Sequence, residues 1–273
     1  MTIALRGTLV LVGAGKMGGA LLEGWLGSGI DAGQIVAFDP APPDEVKETL
    51  TRRRITHNPD VATIRNAQVV LVAVKPQIMD EVLPPLAGLG ASRPLVISVV
   101  AGKTIASLQR HFGADAAVIR TIPNTPAAVG RGITTMAANP NVSNDQITLA
   151  TELLLAVGEV VRVDDEALID AATAVAGSGP AYVFYLTECL AKAGAEAGLP
   201  ADLAMRLARA TVAGAGELMR VSGLPAATLR QNVTSPKGTT HAALQILMAG
   251  NGLEPLMVKA IDAATRRSRE LAS

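Results

Sequence analysis

Residues 9–18 read Leu9-Val10-Leu11-Val12-Gly13-Ala14-Gly15-Lys16-Met17-Gly18. Four apolar residues without alternation fit a strand buried on both faces, and Met17–Leu26 after them carries helical spacing. Three glycines spaced G-x-G-x-x-G between a strand and a helix suit the pyrophosphate of a dinucleotide. Gly13 permits the tight turn, Gly15 lets backbone approach the phosphates, and Gly18 lets helix and strand pack closely. Ala14, Lys16 and Met17 complete the loop, at a helix start whose free N–H groups favour an anion. A glycine-rich turn without ligand is the competing reading, and the strand–turn–helix setting is what favours the nucleotide. A P-loop is excluded, because Met17 follows Lys16 where Ser or Thr is required.

Working outward, residues 8–163 alternate short β-branched runs with helical patterns. The runs are Leu9–Val12, Ile35–Phe38, Val69–Val74, Leu95–Val100, Val118–Ile122, Ile133–Met136 and Val160–Val163. Met17–Leu26, Asp44–Arg53, Gln77–Leu86, Ile105–His111 and Asn144–Val157 read as the helices between them, the last with Ser143 as cap. Past Asp164 the strand signal stops, and Glu166–Val175, Ala181–Ala197, Ala201–Val221, Ala226–Asn232, Thr240–Ala249 and Leu253–Leu271 are all helical in pattern. The fold class is therefore α/β: a dinucleotide-binding domain over residues 1–163 with a mostly parallel sheet, then an all-α domain over 164–273.

Composition narrows the possibilities further. Lys plus Arg and Asp plus Glu both total 24, and the longest like-charge run is Arg52–Arg54, so no nucleic-acid surface is expected. That run suits the solvated last turn of a helix. No apolar stretch reaches the ~20 residues a bilayer demands, and the apolar N-terminal run is broken by Gly13, Gly15 and Lys16 without a cleavage pattern. No membrane span and a cytoplasmic location follow. The single cysteine, Cys189, fits core packing in a reducing compartment. His57, His111 and His241 lie far apart, so no metal site is expected. Aromatic residues make up only 2% of the chain, and the second half repeats Ala191, Ala193, Ala195, Ala197, Ala208, Ala210, Ala213 and Ala215. Such helices bury little area alone, so two copies are expected to associate.

Candidate ligand residues sit at strand ends and at one helix start. Asp39 ends the second run, 21 residues after Gly18, where a carboxylate accepts ribose hydroxyls and repels a 2′-phosphate. A turn residue before Pro40 is the plainer reading. Val74, Lys75 and Pro76 close the third run, and Arg120 with Pro123-Asn124-Thr125-Pro126 closes the fifth. Val233-Thr234-Ser235-Pro236-Lys237-Gly238-Thr239-Thr240 precedes an apolar helical pattern. Its helix dipole and free N–H groups can hold a small carboxylate, against the alternative of an ordinary cap by Thr239 or Thr240. A dinucleotide turn together with a carboxylate turn is the layout of a reductase acting on a small acid.

These segments, with Gly177-Ser178-Gly179-Pro180-Ala181-Tyr182, resemble the pyrroline-5-carboxylate reductase family over nearly the whole chain, most specifically in Val233–Thr240 and Ala243-Leu244. The resemblance implies a Rossmann-type domain and a helical domain that interlocks a homodimer, which in relatives often assembles into a decamer. It implies hydride transfer from NADPH or NADH to the C=N carbon of 1-pyrroline-5-carboxylate, giving L-proline in the last step of proline biosynthesis. By position, Ser235 and the Gly238, Thr239 and Thr240 backbone would hold the carboxylate, and the Thr240 hydroxyl would partner the ring nitrogen as the catalytic group. Asn58, Val74, Lys75, Pro76 and Ala101 would border the cofactor. Lys237 departs from the pattern, since many relatives carry Gly there. A β-hydroxyacid dehydrogenase is disfavoured because Val183 stands where its catalytic lysine belongs, and the intact Ser235–Thr240 turn disfavours a non-catalytic dinucleotide sensor.

Overall fold

The computed structural model describes residues 3–272. Among them, β1 (Thr8–Val12), β2 (Ile35–Phe38), β3 (Thr56–His57), β4 (Ala67–Val72), β5 (Leu95–Ser98), β6 (Val118–Ile122), β7 (Gly132–Ala138) and β8 (Gly158–Arg162) form one sheet. Its order is β3-β2-β1-β4-β5-β6-β7-β8. Every pairing is parallel except β6 with β7, so the sheet is mostly parallel, as expected. The chain runs outward from β1 through β2 to β3 and then returns to β4 on the other side of β1. That reversal opens a crevice at the carboxyl ends of β1 and β4.

The unalternating strands are buried on both faces. Leu9 and Leu11 pack with Trp25, Leu21 and Leu153, whereas Val10 and Val12 pack with Met79, Leu83 and Leu108 on the opposite side. The first layer holds α1 (Lys16–Gly27) and α5 (Asn144–Leu155), joined by the Trp25 indole N–H donating to the Leu153 carbonyl at 2.9 Å. Ser143 and Gln146 form a reciprocal capping box at the start of α5, as the Ser143 cap led us to expect. α2 (Asp44–Arg52) ends in three exposed arginines, Arg52 to Arg54.

The pattern Gln77–Leu86 does not become one helix. It divides into a 3-10 turn at Pro76–Ile78, the four-residue α3 (Met79–Val82) and a 3-10 stretch at Pro84–Ser92. Pro84 and Pro85 lack N–H donors and clash with the preceding turn, so α geometry cannot continue through them. The short run Ile55–Asn58 contributes the extra edge strand β3. α4 (Ile105–Phe112) follows β5, and α6 (Leu168–Ala172) runs into a π-helical turn at Thr173–Gly177.

Two compact units result, one running to Gly177 and rejoined from Thr265, the other Ser178–Ala264. The second contains α7 (Gly179–Glu196), α8 (Ala201–Ser222), α9 (Ala226–Asn232), α10 (Thr239–Leu247) and the first part of α11 (Leu253–Ala272). α7 and α8 pack on each other through small residues: only Ala191 is buried on α7, and only Ala204 and Ala208 on α8. Their larger apolar side chains face outward. Phe184 is 62% exposed, Tyr185 67% and Ile246 on α10 75%. Cys189, expected in a core, is exposed on the same helix, because the alanines and not the larger side chains make the α7–α8 contact. No described helix is long and apolar enough to cross a membrane.

Two outcomes are expected. Gly18→Ala places a Cβ on the Gly13 carbonyl oxygen and should lower Tm by roughly 5 °C or more, as overpacking at a fixed backbone contact does. An apolar face of this extent on a folded monomer is unusual, so light scattering at micromolar concentration should report at least two chains per particle. A monodisperse monomer would contradict that.

Candidate active site

Because β1, β2, β3, β4, β5 and β6 are parallel, the segments following them emerge at one edge of the sheet. Gly13–Gly18, Asp39, Asn58, Val74–Pro76, Ala101 and Pro123-Asn124 are thereby brought to that edge from six separate stretches of sequence. The glycine turn is the tightest point. Gly13 adopts φ +91, and a Cβ there would meet the Ala73 carbonyl oxygen at 2.7 Å and Val74 Cγ1 at 3.0 Å. Gly18 is buried against the Gly13 carbonyl. Gly15 differs from both: it sits in extended geometry at the start of α1, and a Cβ there would meet nothing within 4 Å. The turn is therefore closed on its protein side by Gly13 and Gly18 and open on its outer side at Gly15. A backbone cradle of this kind accommodates a diphosphate, with the first N–H groups of α1 beside it. Lys16 is exposed at the mouth, and Met17 packs half-buried against the core below.

Asp39 turns out to be part of this turn's framework. Its Oδ2 accepts the Ala14 N–H at 2.7 Å and its Oδ1 accepts the Ala41 N–H at 2.9 Å. An ionised carboxylate offers about four acceptor positions, so two remain for a ligand. Asn58, in a left-handed conformation at φ +49, clasps the backbone of Asp39. Its Oδ1 accepts the Asp39 N–H and its Nδ2 donates to the Asp39 carbonyl, both at 2.9 Å. The ring Nε2 of His57 lies 2.9 Å from that same carbonyl. Asn58 thus borders the site by holding Asp39. Sequence spacing alone did not reveal that arrangement.

Lys75 is exposed, three residues past the end of β4, and starts the 3-10 turn with Pro76 in its first turn. Ala101 is exposed after β5, immediately before Gly102. Asn124 is buried; its Oδ1 accepts the Ile133 N–H at 2.9 Å and its Nδ2 donates to the Ala176 carbonyl at 3.1 Å, pinning the π turn. Arg120 lies inside the sheet layer and not at the ligand edge, 4% exposed and paired with carboxylates.

In the second unit, Ser235, Gly238, Thr239 and Thr240 form a single turn between α9 and α10. Helix α10 begins at Thr239, one residue earlier than the apolar pattern suggests, with Gly238 extended at the cap and no side chain bonding the helix end. The Gly238 N–H donates to the Ser235 carbonyl at 3.0 Å, and a Cβ on Gly238 would fall on the Ser235 hydroxyl. That hydroxyl therefore lies folded against the helix start. The N–H groups of Thr239, Thr240 and His241 have no partner among the described residues, which leaves their dipoles available to an anion. Neither Thr239 nor Thr240 acts as the cap. Lys237 holds the turn at φ +59, a conformation that glycine enters without strain and that costs a lysine ~1 kcal/mol or more. The turn keeps its shape with lysine in it, and the exposed side chain adds a cation to its rim.

Residues 166–271 match the family described as pyrroline-5-carboxylate reductase dimerisation, and residues 8–102 that described as NADP oxidoreductase, coenzyme F420-dependent. The chain is 43% identical to the pyrroline-5-carboxylate reductase of Synechocystis sp., over 96% of this chain and 97% of that protein. Among solved structures it resembles a pyrroline-5-carboxylate reductase from Coxiella burnetii with a TM-score of 0.91 at 33% identity, covering 98% of this chain and 100% of that one. A Plasmodium falciparum pyrroline carboxylate reductase with NADP bound matches with a TM-score of 0.81 at 27% identity, over 98% and 99% of the two chains. With a tight glycine turn at the sheet edge, an uncapped helix start in the helical unit, and relatives alike over their full length, the chain belongs to the pyrroline-5-carboxylate reductase family.

Proposed function

We propose that this protein reduces 1-pyrroline-5-carboxylate to L-proline with NADPH or NADH, the last step of proline biosynthesis, in the cytoplasm. The dinucleotide, when bound, supplies the hydride. Residues 1–163 carry the dinucleotide, with Gly13–Gly18 at the diphosphate and Asp39, Asn58, Val74, Lys75, Pro76 and Ala101 around it. Residues 164–273 carry the substrate turn and the association surface. The chain acts as a homo-oligomer, built from a homodimer and extending to a decamer.

The observation that carries the substrate assignment is the uncapped start of α10 with the Ser235 hydroxyl folded over it. A carboxylate placed there accepts from the Thr239 and Thr240 N–H groups and from Ser235 while meeting the positive end of the helix. This fixes one end of a small ring. The Thr240 hydroxyl then serves the other end, accepting the N–H of the protonated imine. Hydride adds to the C=N carbon, the π electron pair moves onto nitrogen, and the nitrogen keeps its proton as the ring becomes a secondary amine. An iminium is already electrophilic, so positioning and one neutral hydrogen-bond partner suffice, and no strong acid is required.

Thr240→Ala should lower kcat and kcat/KM together by ~1–3 kcal/mol, the value of one lost hydrogen bond, while Thr240→Ser keeps much of the rate. Wild-type turnover in a folded Thr240→Ala protein would remove Thr240 from the chemistry.

Asp39 sets the coenzyme preference. The nearest basic residue after it is Lys47, and Pro40, Pro42 and Pro43 stiffen the intervening loop. NADH should therefore serve at least comparably to NADPH. Because Asp39 also bonds the Ala14 N–H, Asp39→Asn is the informative change: its one amide oxygen keeps an acceptor for Ala14, the bond from the exposed Ala41 N–H is given up, and the charge is removed. The ratio of kcat/KM values should move toward NADPH by about tenfold, as one relieved like-charge contact near a surface implies. An unmoved ratio would leave Asp39 with the framework role alone.

A further inference from the structure

Arg120 is buried within the first unit, and its side chain bonds Glu166 and Asp170, so that it stands midway along a continuous hydrogen-bond path. Its Nη1 donates to Glu166 Oε1 at 3.0 Å, and that same oxygen accepts the Ile105 N–H, the first donor of α4, at 2.9 Å. Its Nη2 reaches Asp170 Oδ1 at 3.4 Å, and the Ser268 hydroxyl in the last turns of α11 donates to that oxygen at 2.7 Å. Ser268, Asp170 and Arg120 are all buried. Arg120 and Asp170 are both buried, so parting them strands a charge, and Glu166, whose side chain is 30% exposed, holds the other side of the guanidinium. The path is accordingly stiff.

Both of its ends meet at the same short segment, Ala101–Thr104. At one end, Glu166 satisfies an orphan donor of α4, directly after that segment, while Thr104 caps the helix by accepting the Ser107 N–H at 3.1 Å. At the other, α11 comes back to the segment directly. Gly102, at φ +70, lies so close to Leu271 that a Cβ would meet the Leu271 carbonyl oxygen at 3.0 Å. Ala101 thus stands on a turn braced from two directions by a network with no ligand contact of its own.

We infer that Arg120, with Glu166, Asp170 and Ser268, is a positioning set for the dinucleotide: it holds the Ala101–Thr104 turn at the height that the bound cofactor requires, and it makes cofactor affinity depend on the final turns of α11. The inference rests on the dinucleotide reading of the sheet edge given above. It concerns binding of one substrate and leaves the imine site alone, so it separates dinucleotide affinity from turnover.

The test uses the full-length protein and measures Kd for NADPH and NADH by nucleotide fluorescence, with KM for each substrate, kcat and Tm. Ser268→Ala, which loses one hydrogen bond, should raise Kd and KM for the dinucleotide about three- to tenfold, and Glu166→Ala, which loses two, by about tenfold or more. The KM for pyrroline carboxylate and kcat at saturation should stay near wild type. Glu166→Gln retains an acceptor for both Ile105 and Arg120 and should restore most of the affinity. Unchanged dinucleotide Kd in folded Ser268→Ala and Glu166→Ala would overturn the inference, as would an equal fall in every parameter along with Tm. If the wild-type protein bound neither dinucleotide, the reading of the sheet edge would fall and this inference with it. Wild-type binding with unaffected variants would remove only the positioning role.

Discussion

There is no room for a side chain at Gly18, because the carbonyl oxygen of Gly13 occupies the place where a Cβ would stand. That contact brings the first turn of α1 down onto the end of β1, and Gly13 in turn is pressed against Ala73 at the end of β4. The crevice at the reversal of strand order exists because three backbones approach this closely. Asp39 completes the constraint from the β2 side through the Ala14 N–H, and Asn58 fixes Asp39. What remains open is Gly15 alone. The turn is closed on its protein side and open on its outer side, the geometry that suits a diphosphate.

The helical unit follows the opposite logic. Its internal contacts use alanine, which loses no side-chain entropy and lets helices approach closely, and its larger apolar residues are left outside. An apolar face left uncovered in the single chain suits association, in keeping with the dimerisation family that residues 166–271 match. The turn ahead of α10 in the same unit likewise leaves groups without protein partners: the N–H groups of Thr239, Thr240 and His241 have none among the described residues, beside the Ser235 hydroxyl and a lysine at φ +59. Lys237 is informative here. A residue strained in the left-handed conformation stands where glycine is the easier choice, and its exposed side chain brings positive charge to the rim of the turn.

Much of this was legible in the residues. The unalternating runs gave the strands and their double burial, since such runs have no polar face to show to water. Ser143 marked the start of α5 because its hydroxyl satisfies an orphan donor there. Other features were not legible, for identifiable reasons. The pattern Gln77–Leu86 has helical spacing, but Pro84 and Pro85 cut it, and periodicity does not weigh a missing donor. The antiparallel direction of β7 follows from its connection to β6, which is too short for a crossover helix; the unalternating runs by themselves do not carry strand direction. Cys189 reads as core from its helical neighbours; its exposure follows from which face of α7 meets α8.

Three features follow from local residues alone, the glycine turn, the strand–helix alternation and the turn that starts α10, since each depends on residues within about ten positions of one another and on backbone chemistry those residues carry wherever they occur. Only the tertiary structure decided what Asp39 and Arg120 do. Asp39 meets Ala14 across 25 residues, and Arg120 meets Glu166 and Asp170 across 46 and 50, while Ser268 reaches Asp170 across 98. A carboxylate at a strand end or an arginine inside a strand has several possible partners at every such distance. For Arg120 burial selects, because a charge removed from water must find its counter-charge where the fold has brought the chain together, and for the half-buried Asp39 the selection is made by the backbone N–H of Ala14 that the glycine turn presents.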